Sequence, residues 1–157
     1  MKIYIIAVGK RMPEWVRTGY EEYARRMLSE CKLELIEVSA KKRSGKFDVK
    51  RLLREEGEAL LAAVPKRALI IVLDRRGKTI DTKNFAQAMD DWMQQGVDVA
   101  LLIGGPEGLS RECISQANQV WSLSMLTMAH PVVRVVLAEQ IYRAWSLLRN
   151  LPYHRGD

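Results

Sequence analysis

Five short apolar runs, at residues 3–8, 33–38, 69–73, 99–103 and 120–123, are spaced through a chain of 157 residues, with helical patterns between most of them. Strands buried on both faces read as unbroken apolar runs, and a parallel return needs a crossover long enough for a helix. The alternation therefore predicts an α/β fold on a mainly parallel sheet flanked by helices. A first helix is expected from Pro13, a good first-turn residue, with Val16, Tyr20, Tyr23 and Met27 recurring at helical spacing. A second is expected behind Asp48, with Leu52, Leu53, Leu60 and Leu61 inward and Glu55, Glu56 and Glu58 in solvent. A third, over residues 85–95, ends at Gly96, a natural C-cap.

The last helix is different. Val132, Val133, Val135, Val136, Leu137, Ile141, Trp145 and Leu148 cover more than one stripe, so two surfaces must cover it. Its own sheet supplies one, and a second subunit is the expected other.

Cys31 and Cys113 lie far apart, with no CxxC and no His-rich cluster, which argues against a zinc site or a disulfide framework and for two core thiols in a reducing compartment. The opening apolar run is too short for a signal sequence and no segment has the length of a membrane span, so a cytoplasmic protein with no membrane partner is expected. Without repeats or a linker, residues 1–157 read as one domain. A net charge of +6 favours a polyanionic partner. Much of it sits in the run AKKRSGKFDVKR, where Lys41, Lys42, Arg43 and Lys46 form either a solvated loop or an electrostatic arm for RNA phosphates.

The fourth apolar run leads directly into Gly104, Gly105, Pro106, Glu107 and Gly108. Ligands of open α/β sheets bind outside the carboxyl ends of the strands, where this loop falls. It is neither a Walker A loop nor GxGxxG, so phosphate cradling is disfavoured. The segment SLSMLTMAHPVVRVVLAEQIYRAW then brings a second loop toward the same edge.

LLIGGPEGLS, SLSMLTMAHPVVRVVLAEQIYRAW and the terminal NLPYHRGD together closely resemble the SPOUT methyltransferases, and within them the RlmH group, which methylates a pseudouridine in large-subunit ribosomal RNA. AVGKRMPEWVRTGYEEY and ELIEV extend the resemblance over the whole chain, although Ala129 stands where that group often has proline. The resemblance implies a C-terminal trefoil knot, a homodimer, S-adenosylmethionine as donor with S-adenosylhomocysteine as product, no metal, and N3 of a pseudouridine in 23S rRNA of the 70S ribosome as acceptor. It also places the cofactor against Leu73, Gly104, Gly105, Leu123, Ser124, Met125, Leu126, Thr127 and Met128.

Methyl transfer to an imide nitrogen needs alignment of donor and acceptor and help in losing the imide proton. By the resemblance, Arg134, Arg143, His154 and Arg155 are candidates for favouring that loss or for holding target phosphates, and Tyr153 either stacks on a base or anchors the tail. Glu139 has an i,i+4 partner in Arg143, while Glu107 faces cofactor or partner subunit. Two rivals stay open: a knotted tRNA methyltransferase, and a ribosome-binding factor of the same fold without catalysis.

Overall fold

The computed structural model describes residues 1–42, Gly45 and 48–154, the last of these by its backbone alone. In chain order the elements are β1 (Lys2–Val8), α1 (Glu14–Ala24), β2 (Lys32–Val38), α2 (Val49–Ala62), β3 (Leu69–Thr79), α3 (Thr82–Gln95), β4 (Val99–Ile103), α4 (Arg111–Ser115), β5 (Gln119–Ser122), α5 (His130–Leu148) and a 3-10 turn at Pro152–His154. The five strands form one sheet in the order β2-β1-β4-β3-β5, and every pairing is parallel.

Strand periodicity divides the core in two. Ile5, Leu101 and Ile103 face α1, α3 and α5, where they pack with Tyr20, Phe85, Met89, Leu137 and Trp145. Ile6, Ala100 and Leu102 face the other way, onto Leu60 of α2 and onto Leu109 and Cys113 around α4. β4 is buried along all five residues because helices cover both of its faces, which is why its sequence is apolar without alternation.

Local signals set the helix boundaries. Asp48 accepts from the backbone N–H of Lys50 at 3.0 Å and Asp81 from that of Asn84 at 2.8 Å, while Gly96 ends α3 at φ +66°. Both thiols are buried, and burial pushes Cys31 and Cys113 up to about 11.

Three expectations need correction. β3 runs six residues past the apolar stretch, as far as Thr79, because its backbone resumes pairing with β5 after an irregularity. Glu56 is buried instead of solvated: its Oε2 accepts from the backbone N–H of Lys41 at 2.9 Å, which gives the carboxylate a reason to be inside. Much of the cover that α5 requires comes from its own chain, since it lies between α1 and α3 with Leu137, Ile141, Ala144 and Trp145 fully buried. Gly19 lets α1 approach, for a Cβ there would stand 3.1 Å from Val135 Cγ1, and Thr82 Oγ1 of α3 donates to Gln140 Oε1 at 2.9 Å. Val132, 36% exposed, marks the part left uncovered.

Candidate active site

The carboxyl ends of β3, β4 and β5 open into one cleft of about 1020 Å³. Three irregular segments build it, and each is fixed by its own short-range bonds.

The first is the glycine loop after β4. Gly108 N–H donates to Gly105 O at 3.0 Å and closes a tight turn, with Gly108 at φ +86°. A Cβ on Gly104 would lie 2.4 Å from the Gly108 carbonyl oxygen and 2.9 Å from Leu109 Cγ, so the loop folds back where only glycine fits. Ser110 then caps α4, accepting from Cys113 N–H at 3.1 Å.

The second segment, residues 123–129, joins β5 to α5. Ser122 Oγ donates to Ser124 O at 3.0 Å, and Ser124 Oγ accepts from Leu126 N–H at 2.9 Å. Its backbone leads to His130, which lines the cleft at the start of α5.

The third is an outward bulge in β3. Pairing with β5 stops at Leu73, opposite Trp121, and resumes at Lys78, again opposite Trp121, so residues 74–77 project beyond the sheet. Asp74 braces the projection: Oδ1 accepts from the backbone N–H and the Nε–H of Arg76, each at 2.8 Å, and Oδ2 accepts from Nη2 at 3.0 Å. The Arg76 guanidinium holds the Asp74 carboxyl below the usual carboxylate range, against the opposing effect of burial.

Of the residues expected at a cofactor, Leu73, Gly104, Gly105, Leu123, Ser124, Leu126, Thr127 and Met128 line this cleft together. Met125 does not; it sits at the loop's outer turn and is 94% exposed.

Of the charged candidates, Arg134 and Arg143 are described and do not line the cleft. Arg134 is buried: Nη1 donates to Glu37 Oε2 at 2.5 Å, and Nη2 donates to the carbonyls of Val8 at 3.2 Å and Gly9 at 2.7 Å. It ties α5 to the ends of β1 and β2. Arg143 donates to Glu139 Oε1 through Nε at 2.9 Å and Nη2 at 2.6 Å, and its guanidinium lies 4.9 Å from the Tyr153 ring centroid.

Tyr153 donates to Glu139 at 2.9 Å and packs edge-on against Tyr142 with ring centroids 4.8 Å apart, so it anchors the tail. Burial, followed by its bond to Glu139, raises the Tyr153 hydroxyl above the ordinary phenol range. Lys41 and Lys42 are exposed and do not line the cleft; Arg43, Lys46, Arg155 and the side chain of His154 lie outside the described residues.

Sequence reasoning missed Asp74, Arg75, Arg76, Arg54 and Arg111, all of which line the cleft. The available signal was LDRRGK, in which charge and a glycine follow an apolar run at the end of a strand that points toward ligand.

A family model described as "Predicted SPOUT methyltransferase" matches residues 1–154. The chain belongs to the SPOUT methyltransferase family. This SPOUT chain is also similar to the ribosomal RNA large subunit methyltransferase H of Thioalkalivibrio sulfidiphilus (strain HL-EbGR7), at 53% identity over 155 residues, 99% of each protein. Among solved structures, the fold resembles a methylase family protein from Neisseria gonorrhoeae, with a TM-score of 0.54 and 14% identity over 89% of this chain and 81% of that one. The parallel sheet flanked by helices is thus the SPOUT architecture expected from the sequence.

Proposed function

We propose that this chain transfers a methyl group from S-adenosylmethionine to N3 of a pseudouridine in 23S ribosomal RNA, releasing S-adenosylhomocysteine, and acts as a cytoplasmic homodimer on the assembled 70S ribosome. The observation that carries the reading is the convergence of the glycine loop, the residue 123–129 loop and the β3 bulge on one cleft, in a SPOUT chain 53% identical to a ribosomal RNA methyltransferase.

The donor fits the residues present. The cleft has the size of a cofactor site, and its walls combine apolar side chains (Leu73, Ile103, Leu109, Leu123, Leu126 and Met128) with glycine backbone that a ligand can approach closely. When bound, the cofactor supplies an electrophilic methyl on a sulfonium.

The chain's task is alignment and charge. The Gly104–Gly108 fold-back and the Ser124 turn hold backbone N–H and C=O groups in place before any ligand arrives, so little ordering is left to do on binding. In the transfer an N–C bond forms, an S–C bond breaks, and the imide proton is lost; a cation held near the imide favours its deprotonated form. Arg134 is paired with Glu37 and Arg143 with Glu139. The family's trefoil threading, and a second copy on the remaining apolar strip of α5 around Val132, belong to the same reading.

The test is transfer of labelled methyl to 70S ribosomes, 50S subunits, naked 23S rRNA and tRNA, followed by mass mapping of the modified nucleotide. Label on pseudouridine N3 of 70S rRNA is expected. Label confined to tRNA, or ribosome binding with no label anywhere, overturns the reading.

A further inference from the structure

Described cations without an ion pair, among them Lys10, Arg11, Arg17, Lys32, Lys66, Arg67, Lys78 and Lys83, occur over much of the surface, and a group of them lines the cleft. Lys2, Arg25, Arg26, Arg51, Arg76, Arg134, Arg143 and Arg149 each have a carboxylate within 3.2 Å. Among the described residues, Lys50 and Arg54 of α2, Arg75 of the bulge and Arg111 at the start of α4 have no ion pair, and all four are exposed. These four line the same cleft. Three separate elements therefore each bring a cation with no ion pair to one cleft.

The presentation of Arg75 is built. β3 gives up pairing with β5 between Leu73 and Lys78 to project it, and Asp74 satisfies the neighbouring Arg76 so that the bulge keeps its shape. At the base of the projection a Cβ on Gly77 would lie 2.6 Å from the backbone of Val120, so the bulge is seated hard on β5 and cannot slide. Glu107 and Glu112 are the other carboxylates lining the cleft, and cations outnumber them. A group of cations of this kind attracts a polyanion whose phosphates are spaced along a chain.

We infer that Lys50, Arg54, Arg75 and Arg111 form a phosphate-holding lip that positions the RNA strand next to the methyl-transfer cleft. The inference rests on the reading above that the substrate is ribosomal RNA. It assigns the substrate strand to the α2–α4 side of the cleft, away from the seam of α1 and α5 that carries Tyr153. These are positioning residues: they act on RNA and leave donor binding alone.

The test compares the wild type with Arg54→Glu/Arg75→Glu/Arg111→Glu and with Lys83→Glu, a single charge reversal on exposed α3. Binding to 70S ribosomes is measured by co-sedimentation across a salt series, S-adenosylmethionine affinity by calorimetry, and methylation of the ribosomal RNA by label incorporation. The triple variant is expected to lose at least about tenfold in ribosome affinity, with a salt slope reduced by about 0.7 for each cation removed. Its S-adenosylmethionine affinity and circular dichroism should match the wild type, as should every property of Lys83→Glu. Unchanged ribosome affinity and slope overturn the lip; so does an equal loss of donor affinity, which would make the cations part of the cofactor site. Wild-type enzyme that methylates no RNA overturns the functional reading instead, and ribosome binding still decides the lip.

Discussion

The cleft and the body of α5 use charge in opposite ways. Around the cleft at the N-terminal end of α5, cations from α2, α4 and the β3 bulge stand exposed and without ion pairs among the described residues, beside backbone held open by glycines. Along the helix itself, Arg134 is sealed between Glu37 and two strand-end carbonyls, and Arg143, Glu139 and Tyr153 satisfy one another. A buried, paired cation holds the fold, whereas an exposed unpaired one is available to a ligand. Residue type does not distinguish the two; the neighbours do.

The largest test of this contrast is Arg134→Met. Removing the guanidinium leaves Glu37 and the carbonyls of Val8 and Gly9 without their donor, and a loss of about 3–5 kcal/mol is expected in urea unfolding. A folded variant with unchanged stability and abolished methyl transfer would return Arg134 to the active site.

At the cleft, Gly104→Val places a side chain on the Gly108 carbonyl and not merely in the pocket, so the loop itself must move. Overpacking of this kind costs about 1–3 kcal/mol, and where that cost falls on the binding-competent form of the loop it lowers donor affinity roughly fivefold to 150-fold. Calorimetry with S-adenosylmethionine should show that drop while the unfolding midpoint shifts far less than in Arg134→Met; equal affinity would remove the glycine loop from the site.

Asp74→Asn sharpens the comparison through pH. The folded-state carboxyl lies below its unfolded value, so its pairing stabilises above about pH 4 and the contribution fades as pH falls through the depressed folded value. Because Arg76 is 63% exposed, the gain is under about 1 kcal/mol. The variant should lack that part of the acid limb in a stability-versus-pH profile, and a superimposable profile would mean that the brace is idle.

The smallest expected effect is at the entrance to α5. Ala129 already sits at φ −60° and ψ 138°, the conformation that proline imposes, so Ala129→Pro should stabilise by about 0.4–1 kcal/mol with donor binding unchanged. A lowered melting temperature would show that the 123–129 loop needs freedom there.

Much of the cleft was legible because its parts are local. An apolar run ending in glycines, and serines spaced to bond their own loop, act within a few residues, and eight of the nine expected cofactor residues line the cleft. Met125 falls outside the lining because a loop residue's facing depends on which side of the turn meets the sheet. The bulge escaped notice because Leu73 and Lys78 both pair opposite Trp121, a register set by a strand more than forty residues away.

By itself the sequence determined the order and type of the elements, through apolar runs of strand length and through Asp48, Asp81 and Gly96 at helix ends, since these signals act over one turn or one strand. Tertiary structure alone decided which charges were spent. Glu56 went inside to meet Lys41, Arg134 went inside to meet Glu37, and Arg54, Arg75 and Arg111 came together on one lip. A charge is placed by the partners that folding brings to it from distant segments, and no local pattern encodes them.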